Sequence, residues 1–444
     1  MVESPGAVPV EPARRPSLAA SALLTYGTNV LVAILSLGNV LVVARSLGPH
    51  GRGDVAFLTT VSFLVANLAM VGVQEANANL GGRSAELRPR LATNSALLAL
   101  GLGAAAAAIV AALVVAVPAV GADEGRGVFL LALMAIPVLV YQGFLDYLVR
   151  SEYAFVFTNA AWLCAPITNV TVNGTLALAG VLSVASAFAT WVAGWTLSAA
   201  LLSWYVARRS SGFGRPDRAL ARRSLSFGVK THTGRVMTLG NYRLDQWLLG
   251  AISGSRELGL YSVAVAWAEV LFFLPTVLVL VQRPDLVRAS RPEAVRQAAL
   301  AFRVTVLFTA VLAAVMIVAA PFLCATVFGA DFRGSIDELR ILVPGAFGMV
   351  ALKLFTNVLT AQDRPLRGAV GMAVAFVATV ALDVALIPSH GADGAALAST
   401  LAYTLGGVAI AALFARSLGG RLSELVPRGT ELAWFWRKVR AAIG

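Results

Sequence analysis

Long apolar runs separated by short polar segments make up most of this 444-residue chain. A run of about 18 or more apolar residues is long enough for a helix to cross a lipid bilayer. About twelve runs meet that criterion. They lie near residues 19–44, 54–78, 92–119, 127–149, 157–181, 184–207, 226–250, 258–282, 299–321, 338–361, 369–389 and 392–415. The pattern therefore predicts an all-α integral membrane protein with about twelve transmembrane helices.

Composition and charge agree with this interpretation. Hydrophobic residues form 58% of the chain, charged residues form 13%, and the mean hydropathy is +0.78, which excludes a soluble protein. If the N-terminus is cytoplasmic and the sides alternate, roughly two dozen of the 35 Lys and Arg residues are cytoplasmic and about six, Arg52 among them, lie in external loops. This bias predicts that both termini are cytoplasmic. The net charge of +12 then reflects orientation and contact with anionic lipid, and no nucleic acid partner is expected.

The two halves of the chain echo each other. Gly53 opens the second apolar run and Gly259 opens the eighth, and three further motif pairs recur at a similar offset of about 206–209 residues. An even number of spans in each half predicts two parallel repeats, a pseudo-symmetric pair of six-helix bundles with the substrate site between them. The predicted units are an N-terminal cytoplasmic tail at 1–17, an N-terminal bundle at 18–208, a basic cytoplasmic linker at 209–223, a C-terminal bundle at 224–416 and a cytoplasmic tail at 417–444. The last unit reads either as an interfacial amphipathic helix or as a frayed tail.

The seventh run contains an unusual number of polar residues for a transmembrane helix. A charge near the membrane centre costs at least about 2.5–3.5 kcal/mol, so such residues usually face a cavity and serve a function there. At about 100° per residue, one stripe of this helix contains His232, Arg235, Arg243 and Gln246, with Leu239 in the same line. A largely cationic stripe within a span predicts an anionic substrate.

Other charged residues in the spans are further candidates. Lys353, in the tenth run, either lines the cavity or pairs with a carboxylate such as Glu269. Lys230 either lines the cavity or reaches the cytoplasmic interface. Glu269 either neutralises a cation such as Arg243 or binds a coupling cation. Asp245 is a second possible partner of Arg243.

The remaining candidates are polar groups with weaker signals. His232 is either proton-sensitive or a simple hydrogen-bonding group. Glu75 lies near the cytoplasmic end of the second span, where it is either functional or merely interfacial. Asn169 and Asn173, in the fifth run, either contact sugar or join helices by hydrogen bonds.

Several short segments resemble one transporter family. The segments are Arg45–Gly53, Arg243–Gly250, Leu258–Ala264, Phe328–Phe332 and Gly391–Ala396. Their order resembles that of polysaccharide transporters and O-antigen flippases, within the multidrug/oligosaccharidyl-lipid/polysaccharide exporter (MOP) superfamily. The resemblance covers about residues 18–416. It implies two six-helix bundles around a V-shaped cavity that opens to each side in turn, as in multidrug and toxin extrusion (MATE) transporters.

On this resemblance we expect a flippase in the bacterial inner membrane that moves an undecaprenyl-pyrophosphate-linked oligosaccharide. Its partners would be the anionic polyprenyl-linked glycan, membrane lipid and, in the same pathway, a polysaccharide polymerase and glycosyltransferases. The chain contains no enzyme signature, cofactor motif or metal-ligand spacing. Three alternatives stay open: a MATE-like drug or cation antiporter, a lipid II flippase, and a non-transporting membrane scaffold.

Overall fold

The computed structural model describes residues 18–116, 126–210 and 212–427, and this part of the chain is helical and contains no strand. The predicted tail at 1–17 and residues 428–444 of the predicted C-terminal tail lie outside the described residues. Thirteen α-helices are described. They are α1 (Leu18–Ala69), α2 (Val73–Arg83), α3 (Arg88–Ala116), α4 (Arg126–Arg150), α5 (Phe155–Leu178), α6 (Val184–Arg209), α7 (Arg218–Ser253), α8 (Ser255–Ala268), α9 (Phe273–Arg288), α10 (Arg291–Pro321), α11 (Ser335–Leu342), α12 (Gly345–Ala361) and α13 (Pro365–Leu418).

The number of membrane passes agrees with the predicted twelve. Within the described ranges, eight helical segments are long and apolar enough to span a membrane. Two of them, in α1 and α13, are 46 and 54 residues long, and each has room for two passes of about 20 residues. The bent pair α11 and α12 adds one pass, and α7, with 36 residues, is long enough to add another despite its polar side chains. The helices of the described ranges therefore have room for about twelve passes.

Sharp kinks replace two of the loops that the sequence predicts. The first and second spans join at Gly48, whose φ of +68° is open to glycine but strained for other residues. Pro49 then starts the next segment, where its missing N–H is not needed. Gly391, at a φ of +51°, joins the eleventh and twelfth spans in the same way. The expected loop at residues 45–53 was therefore wrong, because the helix resumes directly after Gly48, while the side of the membrane on which this kink lies stays a prediction.

The eighth span is broken near its middle. α8 ends at Ala268, a short 3₁₀ turn covers Glu269–Phe272, and α9 then continues as far as Arg288. Pro275 lies in the first turn of α9, where its missing N–H breaks no helical hydrogen bond. A 3₁₀ segment within a long helix often marks a functional position, and this one contains a carboxylate in the middle of the bundle.

The predicted linker is shorter than expected. α6 ends at Arg209, and α7 already begins at Arg218. Asp217 caps α7, since its Oδ1 accepts a hydrogen bond from the Leu220 N–H at 3.0 Å. Its Oδ2 also lies 3.2 Å from an Arg90 Nη atom, so the cap ties α7 to the start of α3.

The two halves contact each other closely at one end of the bundle, which we call the Gly53 end. A Cβ at Gly53 would lie 1.6 Å from the Ser255 carbonyl oxygen, and a Cβ at Gly259 would lie 1.8 Å from that of Pro49. Each glycine therefore meets the backbone four residues before the other glycine. This reciprocity is what a two-fold axis between two related helices would produce.

A second pair of glycines joins the halves at the opposite end, which we call the Gly228 end. A Cβ at Gly72 would lie 2.2 Å from the carbonyl oxygen of Gly228, and a Cβ at Gly228 would lie 2.4 Å from that of Val71. Gly72 has a φ of +74°, and the helix breaks there between α1 and α2. Both close contacts require residues without side chains, because any Cβ would overlap with backbone atoms.

Candidate functional site

A cavity of about 950 Å³ lies between the two halves. Its walls come from α1, α5 and α6 on one side and from α7, α8, α9 and α12 on the other. Ligand sites commonly measure about 300–1,000 Å³, so this cavity is at the large end of that range. Its charged lining residues are Arg52, Arg243, Lys353 and Glu269.

Arg243 and Glu269 form an ion pair on the cavity wall. An Arg243 Nη atom donates to Glu269 Oε1 at 2.9 Å, and each side chain is about one third exposed, at 32% and 35%. The break in the eighth span is what places Glu269 opposite α7. Because the pair is partly hydrated, its Coulomb attraction is screened, and one side of the guanidinium stays accessible to a ligand.

Lys353 reaches the same cavity from α12. Its Nζ donates to the Thr276 hydroxyl at 3.0 Å and lies 5.4 Å from the ring centre of Tyr242. Both contacts are with neutral groups, so they orient the ammonium group without neutralising its charge. Lys353 therefore contributes a full positive charge to the cavity.

Arg52 is a cavity residue that the sequence analysis assigned to an external loop. The kink at Gly48 returns the chain to helix by Pro49, and this turns the half-buried Arg52 towards the cavity. Its Nε atom is buried and has no hydrogen-bond partner in the part of the chain that the structure describes. The signal in the sequence was the neighbouring Gly53, which has no side chain and so permits close contact between α1 and α8 beside this cation.

Two of the predicted residues of α7, Lys230 and His232, are not among the described residues that line this cavity. Lys230 is exposed and His232 is half-buried. Arg235 lies within α7, but its side chain is outside the described part of the chain. A role for these residues stays a prediction from the sequence pattern.

Asp245 faces the interior of the C-terminal half. Its Oδ2 accepts hydrogen bonds from the hydroxyls of Tyr261 at 2.5 Å and Ser399 at 3.2 Å, and its Oδ1 accepts from the Gln246 N–H at 2.8 Å. The carboxylate is only 3% exposed. Asp245 therefore joins α7, α8 and α13, and its direct hydrogen bonds are not to Arg243.

The other predicted polar residues are buried or half-buried, and one of them joins two helices. Glu75 is half-buried in the first turn of α2. Asn169 and Asn173 are buried, and the Asn173 Nδ2 donates to Asn39 Oδ1 at 2.8 Å, which joins α5 to α1. Neither asparagine is among the residues that line the cavity.

Aromatic side chains cover the wall that faces Arg243 and Lys353. Trp162 extends from α5, and Trp191 and Trp195 extend from α6. Nothing in the sequence distinguishes these tryptophans, because tryptophans within apolar runs look like ordinary core residues. Only the packing of α5 against α6 places them side by side.

The family profile described as "Polysaccharide biosynthesis protein" matches residues 18–281 of the chain. No curated protein sequence matches this chain. A multidrug resistance MATE family transporter of the MOP superfamily, in its inward-facing conformation, matches in structure with a TM-score of 0.71, at 13% identity, over 90% of this chain and 98% of that one. The lipid II flippase MurJ, in an inward closed conformation, matches with a TM-score of 0.64, at 13% identity, over 91% and 89%. The two structural likenesses confirm the predicted fold class.

Proposed function

The chain belongs to the polysaccharide biosynthesis protein family, and on that premise we propose that it is a flippase for undecaprenyl-pyrophosphate-linked oligosaccharide units. The head group would bind in the cavity between the halves, while the polyprenyl chain stays in lipid. The proposal depends on one observation above all, the excess of positive charge in that cavity.

Among the side chains that the structure describes, three cations and one carboxylate line the cavity, which gives these groups a formal charge of +2. The ion pair between Arg243 and Glu269 leaves Arg52 and Lys353 without a neutralising partner among the lining residues. A pyrophosphate diester has one negative charge on each phosphate group and therefore matches this excess. Arginine can also bind phosphate oxygens in a bidentate manner, which replaces the lost hydration of the anion.

Alternating access would use the two glycine contacts in turn. At the Gly53 end the backbones of α1 and α8 touch, and at the Gly228 end α7 touches the turn before α2. Such contacts have no interlocked side chains to separate. Opening one end while the other stays closed would expose the cavity first to one side of the membrane and then to the other.

We assign the Gly228 end to the cytoplasm and the Gly53 end to the exterior, in accordance with the distribution of Lys and Arg. With this assignment, both termini would lie on the cytoplasmic side of a bacterial inner membrane. An inside-negative potential then favours export of the anion by about 2.3 kcal/mol per charge per 100 mV. Undecaprenyl-linked units would come from glycosyltransferases and pass to a polymerase.

The same charge argues against an antiporter for cationic drugs. A cation that enters a cavity with a formal charge of +2 meets repulsion, which is strengthened by the low dielectric constant of the protein. A non-transporting scaffold would not need uncompensated cations in a cavity, and these are costly to retain.

Binding of lipid probes to the purified full chain tests the proposal. Native mass spectrometry would compare undecaprenyl pyrophosphate with the cationic dye ethidium. We expect the pyrophosphate to bind, and Arg52→Gln to weaken it about tenfold or more, because a hydrogen bond to a charged group contributes about 1.5–3 kcal/mol. Arg209→Gln, at an exposed arginine at the end of α6, is the matched control and should bind as the wild type does.

Two results would contradict the proposal. One is tight binding of ethidium without binding of the pyrophosphate. The other is equal pyrophosphate affinity in the wild type and Arg52→Gln. In cells that depend on this protein for surface polysaccharide, Arg52→Gln should also reduce export while the protein remains in the membrane.

A further inference from the structure

Three tryptophans form a continuous aromatic surface on the cavity wall formed by α5 and α6. We call Trp162, Trp191 and Trp195 the tryptophan wall. The ring centres of Trp162 and Trp195 are 6.1 Å apart at 78°, and those of Trp191 and Trp195 are 6.3 Å apart at 71°. All three are half-buried and line the cavity.

Contacts behind the wall hold two of the indoles in place. The Trp162 Nε1 donates to Asp146 Oδ1 at 3.1 Å, and Trp191 stacks on the fully buried Phe188 with ring centres 5.6 Å apart at 21°. Gly194 brings α6 against α5, since a Cβ there would lie 2.6 Å from the Cα of Ala165. Trp162 and Trp191 are therefore preorganised, and a ligand would meet their ring faces in fixed positions.

Trp195 differs from Trp162 in one respect that points to a ligand. Its Nε1 atom is buried and has no hydrogen-bond partner among the residues that the structure describes. A buried donor that remains unsatisfied costs free energy, and the indole N–H of a buried tryptophan usually finds an acceptor. Trp195 lacks the anchoring hydrogen bond of Trp162, so a turn of its indole can present the N–H to an acceptor group of a ligand bound in the cavity.

The chemistry of the cavity narrows the class of that ligand. Flat aromatic faces attract cations and polarised C–H groups, but Arg52, Arg243 and Lys353 face the same space and repel cations. Polyprenyl chains have no acceptor for an N–H group. Sugar rings have both an apolar C–H face and hydroxyl oxygens that accept hydrogen bonds.

We propose that the tryptophan wall is a sugar-binding subsite, on which the first sugars after the pyrophosphate stack while the Trp195 N–H donates to a sugar oxygen. This inference rests on the proposed function, because it takes the pyrophosphate to lie on the cationic side of the cavity. The wall selects for the presence of a glycan, so that the flippase distinguishes a loaded carrier from an empty one.

The test compares two probes on the full chain by native mass spectrometry. One is undecaprenyl pyrophosphate without sugar, and the other is the lipid-linked oligosaccharide extracted from membranes of the source organism. We expect Trp195→Leu to lower the affinity for the glycosylated lipid about tenfold and the affinity for the bare carrier less than twofold. Trp195→Phe keeps an aromatic face but removes the N–H. This variant should lower the affinity for the glycosylated lipid by about three- to fivefold.

Two controls make the result specific. Trp204→Leu removes an exposed tryptophan on α6 that does not line the cavity, and should leave both affinities unchanged. Arg52→Gln should weaken both probes alike. If Trp195→Leu prevents folding, the conservative Trp195→Phe gives the same comparison.

The outcomes separate the subsite from the proposed function. If the wild type binds neither lipid, both proposals are wrong. If the wild type binds both lipids, but Trp195→Leu weakens them equally or not at all, only the sugar subsite is wrong. Competition by ethidium for the glycosylated lipid would also overturn the subsite, since it would show that the wall accepts aromatic cations.

Discussion

The reciprocal glycine contact at the Gly53 end makes a prediction about conformation. In Gly53→Ala the new Cβ would lie 1.6 Å from the Ser255 carbonyl oxygen. Carbon and carbonyl oxygen approach to about 3.3–3.6 Å in proteins, so the two helices must separate by roughly 2 Å at this point. A backbone carbonyl cannot rotate away as a flexible side chain could. The strain must be relieved by moving one half of the protein relative to the other.

The expected magnitude follows from the cost of overpacking. Extra methyl groups in tight contacts cost about 1–3 kcal/mol. A protein that alternates between two states can avoid this cost by populating the state in which this end is open. The population of that state should therefore rise about 5- to 150-fold. Gly259→Ala, with its Cβ 1.8 Å from the Pro49 carbonyl oxygen, should have the same effect.

Labelling with a membrane-impermeant maleimide in intact cells measures this change. The native cysteines, Cys164 and Cys324, are first replaced by alanine, and Thr59→Cys supplies a reporter on the cavity wall. With the Gly53 end external, Gly53→Ala should raise the labelling rate at least about fivefold. In Gly228→Ala, where the Cβ would lie 2.4 Å from the Val71 carbonyl oxygen, the other end opens and external labelling should decrease.

The matched control is Gly27→Ala. Gly27 is an exposed residue of α1, and a Cβ added there would have no atom within 4 Å. Alanine there is at least as good a helix former as glycine, so the variant should fold and label as the wild type does. Unchanged labelling in both Gly53→Ala and Gly259→Ala would refute the reasoning. The contact would then not be one that opens during transport.

Three further predictions concern single carboxylates. Glu269→Gln removes the partner of Arg243 and raises the charge of the cavity, so native mass spectrometry should show severalfold tighter undecaprenyl pyrophosphate binding; weaker binding would contradict this. Asp245→Ala leaves the buried Tyr261 hydroxyl without its main acceptor and should lower stability by about 1–3 kcal/mol, seen as a lower melting temperature in detergent than for Asp245→Asn. Hydrogen bonds to the helix N-terminus and to arginine lower the pKa of Asp217 below 3.8, so its stabilisation is present above pH 3.8 and is lost as the pH decreases through its folded-state pKa. On acidification to pH 3, the melting temperature of the wild type should therefore decrease more than that of Asp217→Asn. Equal decreases in the two proteins would exclude a stabilising role of the ionised Asp217.

The sequence was a good guide to spans and a partial guide to the cavity. Arg243 and Lys353 could be selected because a charge within an apolar run is costly anywhere except at a cavity or a partner. Both do line the cavity, although their binding of substrate is still a proposal. Asn169 and Asn173 had the same type of signal, but both are buried away from the residues that line the cavity, and Asn173 joins α5 to α1. A polar residue in a span shows that a partner exists, and it does not show which face of the helix that partner occupies.

By itself, the sequence determined the all-helical fold, the number of passes and the family, because apolar run length and short ordered motifs are local properties of the chain. Tertiary structure alone decided that Arg52 faces the cavity, since the kink at Gly48 sets the direction of the following helix. It also decided that Glu269 pairs with Arg243 and that three tryptophans from two helices form one wall. Those relationships depend on crossing angles and close backbone contacts between distant segments, which no local pattern of residues specifies.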